Sequence, residues 1–235
     1  MAGATGVTYT DAQTIPAETD LIWVNSPSNP TGYVLSTHEL RAIVLRAREI
    51  GAVVVSDECY LELGWDVQPT SLLHPDVTGG DLSGLLAIHS LSKRSNLAGY
   101  RSAAVLGDAK LITDILSARK HAGMLLSTPV QVATIAALSD VEHVSAQREV
   151  YHNRRQILQE AFRGAGFQID HSVAGLYLWV TAGTDCMTVV QDLATVGILT
   201  APGTFYGPAG AQHIRVALTA PTAKIEQVGH RLARQ

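Results

Sequence analysis

The stretch Ser90-Leu91-Ser92-Lys93-Arg94-Ser95-Asn96-Leu97-Ala98-Gly99-Tyr100-Arg101 follows directly on an apolar run, Leu85-Leu86-Ala87-Ile88. The run is too short for a helix and reads as a buried strand. The two serines and the lysine therefore stand where that strand ends. In an open α/β sheet, ligands bind outside the carboxyl ends of the strands. A lysine at that rim has two readings. It is a solvated surface charge, the usual fate of lysine, or it is a partly desolvated amine that attacks a carbonyl to form a Schiff base. This motif leaves both open.

Upstream, Leu21-Ile22-Trp23-Val24-Asn25 reads as another buried strand from its apolar and β-branched content. It runs into Ser26-Pro27-Ser28-Asn29-Pro30-Thr31-Gly32, where two prolines and a glycine force an irregular loop. Ser36 and Glu39 have capping-box spacing, and Leu35 with Leu40 can form a hydrophobic staple. Leu40, Ile43, Val44, Ala47 and Ile50 keep the helical period, and Gly51 ends it. Ala52-Val53-Val54-Val55-Ser56-Asp57-Glu58 is then a further strand. Strand, helix, strand is the unit that builds parallel sheets. Residues 61–83, with their prolines and glycines, read as a long loop. Residues 6–10 suggest a short strand.

Downstream, Ser102-Ala103-Ala104-Val105-Leu106-Gly107 reads as a strand that follows the lysine stretch too closely for a crossover helix. It is expected to run antiparallel to its neighbour. Asp108 can cap a helix carrying Leu111, Ile112, Ile115 and Leu116. Thr128-Pro129-Val130-Gln131 signals another helix start. A long helix is expected over 141–163, with Val144, Tyr151, Leu158 and Phe162 on one face. After Gly164 the pattern changes. Residues 167–169 and 176–180 alternate like sheet residues, a helix spans about 185–196 until Gly197, a strand covers 214–218, and a last helix lies near 221–234. The expected fold is α/β: a mostly parallel sheet with flanking helices over residues 1–145, and a smaller α+β unit over 146–235.

With 46% hydrophobic and 16% charged residues, the composition suits a globular chain with a sizeable core. A formal charge of -4 and the lack of a basic run argue against nucleic acid as a partner. No apolar stretch is long enough to span a bilayer. Cys59 and Cys186 lie far apart without metal-type spacing, and the nine histidines form no metal motif, so no metal is expected. Two reduced thiols and an N-terminus unlike a signal peptide suit a cytoplasmic protein.

The strand ends gather the polar residues. The first delivers Asn29, the second Asp57 and Tyr60, the third Ser90, Ser92 and Lys93. Successive strand ends of a parallel sheet share one rim, so these groups can converge. A carboxylate at the end of a buried strand needs a cation or several donors. Asp57 is therefore either the cap of a following helix or the partner of a protonated ring nitrogen, which it would hold in the charged form. Arg101 and the two serine hydroxyls are suitable donors to a phosphate. Cys59 is read as packing, its side chain alternating away from the neighbours of Asp57.

Asn-Pro-Thr-Gly at 29–32, Ser-Asp-Glu-Cys-Tyr at 56–60, and Ser-x-Ser-Lys with Gly99-Tyr-Arg101 resemble, in order and spacing, the class I/II pyridoxal-phosphate aminotransferases of fold type I. The resemblance covers essentially the whole chain, including His213-Ile214-Arg215-Val216. It implies that Lys93 holds pyridoxal 5'-phosphate as a Schiff base and then moves the proton at the substrate α-carbon. It implies that Asp57 pairs with the pyridine nitrogen, that Asn29 and Tyr60 bind the phenolic oxygen, and that Ser90, Ser92 and Arg101 bind the phosphate. Arg215 is implied to grip the substrate α-carboxylate. Residues 1–145 would then be a partial large cofactor-binding domain, and the partners a small amino acid and a 2-oxo acid. A homodimer is implied as well.

Within the family, residues 23–32, Gly175-Leu176-Tyr177-Leu178-Trp179 and Ala201-Pro202-Gly203-Thr204-Phe205-Tyr206-Gly207 look most like actinobacterial N-succinyldiaminopimelate aminotransferases, enzymes of lysine and diaminopimelate biosynthesis. Another transaminase, a C–S lyase of the same fold and a remnant without activity are the alternatives. Family members carry a long N-terminal portion before the segment that matches residues 1–20, so the chain reads as N-terminally truncated and its large domain as incomplete. The expected consequences are a lost phosphate-binding helix start, open sheet edges and exposed apolar faces.

Overall fold

The reciprocal cap foreseen at Ser36 is present in the computed structural model, which describes residues 6, 8, 9 and 11–234. Ser36 Oγ accepts from the Glu39 amide, while the Glu39 carboxylate accepts from the Ser36 amide at 2.7 Å. The strand suggested for 6–10 rests partly on Val7 and Thr10, which lie outside the described residues. Gly6, Thr8 and Tyr9 form no strand.

The first sheet has the spatial order β1 (Leu21–Asn25), β2 (Val53–Asp57), β3 (Leu85–Ser90), β4 (Ala103–Gly107). β1, β2 and β3 are parallel, and β4 runs antiparallel to β3, as the short connection between them requires. Helix α1 (Thr37–Ile50) makes the crossover from β1 to β2 and ends on Gly51 at φ 76°. The 61–83 segment is not all loop. Its His74-Pro75-Asp76 sequence starts a short helix, α2 (Pro75–Thr78), in which the His74 ring accepts from the Asp76 amide. The serine-lysine stretch forms a single helical turn, α3 (Leu91–Arg94).

Three helices follow: α4 (Ala109–His121), capped by Asp108; α5 (Thr128–Ser139); and α6 (Glu142–Gly164). The second sheet has the order β5 (Gln168–Asp170), β6 (Tyr177–Thr181), β8 (His213–Ala217), β7 (Ala201–Pro202), all neighbours antiparallel. Helix α7 (Cys186–Thr195) lies between β6 and β7 in the chain. The helix expected near 221–234 is divided into α8 (Thr222–Ile225) and α9 (Val228–Leu232). The break falls where the Gln227 amide bonds to Lys224 O, three residues back, and tightens the turn.

Two apolar clusters hold these layers. Leu40, Val44 and Ala47 of α1 pack on Val24, Val54 and Leu85 of the first sheet. Tyr151, Leu158 and Phe162 of α6 share a core with Leu178, Val180, Ile214 and Val216 of the second sheet. Arg155 joins them on the buried face of α6, paired with Asp66. Tyr60 and Leu63, just past β2, belong to this second cluster.

Several bonds tie the rim loops of the first sheet to the segment before β6. Among them, the Ser172 amide donates to Thr31 O at 2.9 Å, the Gly175 amide to Leu63 O at 2.8 Å, and Trp65 Nε1 to Gly175 O at 2.8 Å. The approach is closest at Gly32, with φ 69°, where a Cβ would stand 2.6 Å from Ala174 O. Gly32→Ala is therefore expected to destabilise the chain by about 1–3 kcal/mol, measured as a lower urea midpoint at unchanged slope.

Other apolar surface is uncovered. α4 and α5 bury no residue, and Val132, Ile135 and Leu138 of α5 are 62%, 65% and 53% exposed. Trp23 on the edge strand β1 is 59% exposed. No helix among the described residues is long and apolar enough to cross a membrane.

Candidate active site

The register of the first sheet sets Asn25, Asp57 and Ile88 side by side at the strand ends. Beyond Asp57 the chain turns at once, with the Leu61 amide on Glu58 O and the Leu63 amide on Tyr60 O. The Cys59 amide donates to Asp57 Oδ1 at 3.1 Å. No helix follows, so Asp57 closes a local turn with one oxygen and is not a helix cap.

At the end of β3, Ser90 Oγ accepts from the Ser92 amide at 3.1 Å and starts α3. Leu91 is buried below that turn. Arg94 holds the other side, donating to Glu62 Oε1 at 3.0 Å and to Ala137 O at 2.8 Å. Lys93 is thus carried on a segment fixed before and after it. Arg101 sits in the left-handed region at φ 53°, with Nη1 donating to Ala98 O at 3.1 Å.

These segments line an open cavity of about 540 Å³, with Trp23, Asn25, Asn29, Asp57, Cys59, Tyr60, Ser90, Ser92, Lys93, Ala98 and Arg101 in its wall. The structure thereby brings together Asn29, Asp57, Tyr60, Ser90, Ser92, Lys93 and Arg101. Arg215 is not among the lining residues, but its Nη1 donates to Asn29 Oδ1 at 2.9 Å. Its guanidinium carbon lies 3.9 Å from the centre of the Tyr177 ring and 4.9 Å from that of Tyr206. Two aromatic rings thus hold the cation. Its Nε is buried without a hydrogen-bond partner. A buried charged donor left in that state is costly.

Burial, reinforced by the Asp57 carboxylate, pushes the Cys59 thiol up to about 12. Burial is also the largest cause holding the Tyr60 phenol far above its ordinary value, followed by the neighbouring Tyr177 phenol. Both groups are therefore protonated donors at neutral pH.

The expectation for Cys59 needs correction. The strand ends at Asp57, so alternation does not extend to residue 59, and the turn carries Cys59 onto the cavity wall as well as against the second core. Sequence reasoning also passed over Asn25, whose Oδ1 accepts from the Asn29 amide at 2.8 Å. Its place at a strand end beside Asp57 was a usable signal. Tyr177 and Tyr206 come from the second sheet and its loops, and no local pattern pointed to them.

A larger hollow of about 730 Å³ lies between the end of α7 and α9. Its Arg231 is already engaged, donating to Gly197 O at 2.9 Å, so its geometry is that of a helix end and not of a reaction site.

The comparison with known families agrees with this arrangement. Residues 6–232 match the family described as Aminotransferase class I and II.

The chain belongs to the class I and II aminotransferases.

It is 55% identical over 212 residues to the 4-dedimethylamino-4-oxo-anhydrotetracycline transaminase OxyQ of Streptomyces rimosus, covering 90% of this chain and 59% of that protein. It is 54% identical over 217 residues to the probable aminotransferase Rv1178 of Mycobacterium tuberculosis, covering 92% of this chain and 52% of that protein. The structure of N-succinyldiaminopimelate aminotransferase from Mycobacterium tuberculosis superposes with a TM-score of 0.84 at 26% identity, covering 95% of this chain and 60% of that one. This aminotransferase chain therefore has the fold-type-I architecture, and it spans a little over half the length of the relatives it matches.

Proposed function

We propose that the chain carries the lysine, ring-binding and carboxylate-binding part of a pyridoxal-phosphate aminotransferase site, which moves an amino group between an amino acid and a 2-oxo acid. The observation that carries this reading is the single cavity onto which three strand ends and the α3 turn bring an amine, a carboxylate, two serine hydroxyls and a guanidinium. That donor set fits the cofactor. Pyridoxal phosphate, when bound, supplies the electron sink for charge developing at the substrate α-carbon.

The chain's own residues do the rest. Lys93 Nζ would hold the cofactor and would move a proton at the substrate α-carbon. Asp57 keeps its free oxygen for a protonated ring nitrogen. Ser90, Ser92 and Arg101 take the phosphate. Asn29 Oδ1 is occupied by Arg215, so Asn29 Nδ2 and the Tyr60 hydroxyl are the donors left for the phenolic oxygen. Arg215, with only its Nη1 engaged by Asn29, offers its guanidinium to the substrate carboxylate. On this reading residues 1–145 carry the cofactor contacts and 146–235 the carboxylate contact.

Arg215→Ala tests the substrate role. KM for both the amino acid and the 2-oxo acid should rise by roughly tenfold to a hundredfold, the value of a charged hydrogen-bonded pair. Capture of the cofactor at Lys93 should be unchanged. An unaltered KM would return Arg215 to a structural role.

For the substrate we propose N-succinyl-diaminopimelate with 2-oxoglutarate, supported by the likeness to the N-succinyldiaminopimelate and LL-diaminopimelate aminotransferases. A second reading, a polycyclic aromatic ketone as amino acceptor, draws on the 55% identity to OxyQ and on the exposed Trp23 in the cavity wall. Glutamate-driven amination of each acceptor separates them, with the acceptor of higher kcat/KM deciding.

The homodimer belongs to this proposal as well. α5 exposes Val132, Ile135 and Leu138, apolar surface of the kind that other protein covers. Sedimentation of the chain should give twice the 25.0 kDa monomer mass, and a monomer would count against it.

A further inference from the structure

Glu58 and His89 stand on the side of the sheet away from the cavity, one residue from groups that face it. Successive residues of β3 point to opposite faces, so His89 is the reverse of Ser90, and Glu58, the first residue past β2, meets His89 on that face. The Glu58 carboxylate is 1% exposed. It accepts from His89 Nε2 at 2.7 Å and from the Leu72 amide at 2.7 Å. The last backbone bond between β2 and β3 runs from the Glu58 amide to Ile88 O at 2.9 Å. The side-chain bond continues that connection one step further, where β2 turns toward Tyr60 and β3 enters α3.

An ion pair with its carboxylate buried and its imidazole 39% exposed adds little stability over well-packed apolar residues of similar volume. What it adds here is a fixed distance. The hydrogen bond to Glu58 outweighs burial and raises the His89 imidazole above its ordinary value, with Glu62 adding to the effect. The imidazole is thereby kept in its bonded form.

We propose that Glu58 and His89 are positioning residues which clamp, from behind, the two strand ends that deliver Asp57 and the Ser90–Lys93 turn to the cavity. The clamp rests on the cofactor reading only for its purpose, since the geometry stands without it. It assigns to a pair on the far face the task of keeping the carboxylate and the amine at a constant separation. Such outer partners commonly change affinity or activity by roughly tenfold to a hundredfold when removed.

The test uses the full chain with three substitutions. His89→Ala removes the donor, His89→Gln retains an N–H donor, and Glu58→Gln retains an acceptor. Amide hydrogen exchange is followed by mass spectrometry over residues 57–60 and 89–94, with the β6 and β8 peptides as the folding control. In His89→Ala, exchange at the two strand ends should accelerate by roughly tenfold while the control peptides hold, and capture of pyridoxal phosphate by Lys93 should weaken by a similar factor. His89→Gln and Glu58→Gln should stay within about threefold of the parent in both readouts.

Unchanged exchange at the strand ends would overturn the clamp. So would faster exchange spread evenly over the chain, because the pair would then serve the fold as a whole. If His89→Ala does not fold, a His89→Gln chain as loosened as an unclamped one would have the same meaning. Local loosening with cofactor capture intact would refute the positioning role. A parent chain that captures no cofactor would count against the site reading, and the exchange comparison would still decide the clamp.

Discussion

Lys93→Ala is expected to abolish amino transfer. The fall in kcat/KM should exceed about 10³-fold, because the residue serves both as covalent anchor and as proton carrier. Borohydride treatment with pyridoxal phosphate should then fix no pyridoxyl group in the cavity. The reason is positional. Lys93 rides on a turn held by the buried Leu91 and by the bonds of Arg94 to Glu62 and Ala137. The sequence contains three other lysines, Lys110, Lys120 and Lys224, and none of them lines the cavity. Lys110 is paired with Asp114 at 3.0 Å on the surface of α4. Lys93→Arg keeps the charge but lacks the unhindered amine, and should be equally inactive. Activity retained in either variant would remove the lysine from the mechanism.

Asp57→Asn carries the second large effect. An opposite charge at about 4 Å near a protein surface contributes about 4 kcal/mol, so removing it should lower kcat/KM by roughly 10²- to 10³-fold. The asparagine still accepts from the Cys59 amide, which preserves the turn. The thermal midpoint should therefore remain close to that of the parent. Asp57→Ala should lose activity to the same degree and some stability in addition, since the Cys59 amide loses its acceptor. Equal activity in the parent and Asp57→Asn would mean that the carboxylate serves only its turn.

Local rules read much of this fold. The capping box at Ser36, the glycine stop at Gly51 and the β-branched run of β2 are local features, and local chemistry set them correctly. The antiparallel entry of β4 followed from the connection, because the twelve residues 91–102 already hold the serine-lysine turn and leave no room for a crossover helix. Local reading was weaker where a short signal was diluted by its surroundings. α2 hides in a segment otherwise rich in turn residues, and the C-terminal helix loses its continuity at a turn with no proline or glycine inside it.

The candidate site divides along the same line. Asn29, Asp57, Ser90, Ser92 and Lys93 stand at strand ends, so topology alone draws them to one rim. Tyr177 and Tyr206 reach Arg215 from a different sheet, and only the packing of the two units brings them there. Cys59 was misplaced because strand alternation was carried two residues past the point where the chain turns. The roles of Glu58 and His89 were also invisible, since a glutamate and a histidine separated by 31 positions carry no mark of the register that joins them.

The most direct measurement is peptide mass mapping of the purified chain after incubation with pyridoxal phosphate and reduction with borohydride. With four lysines in the sequence the map has few alternatives. The account predicts a stable pyridoxyl group on Lys93 alone, formed at low cofactor concentration and blocked by Lys93→Ala. Labelling shared among Lys110, Lys120 and Lys224, with Lys93 unmodified, would contradict it.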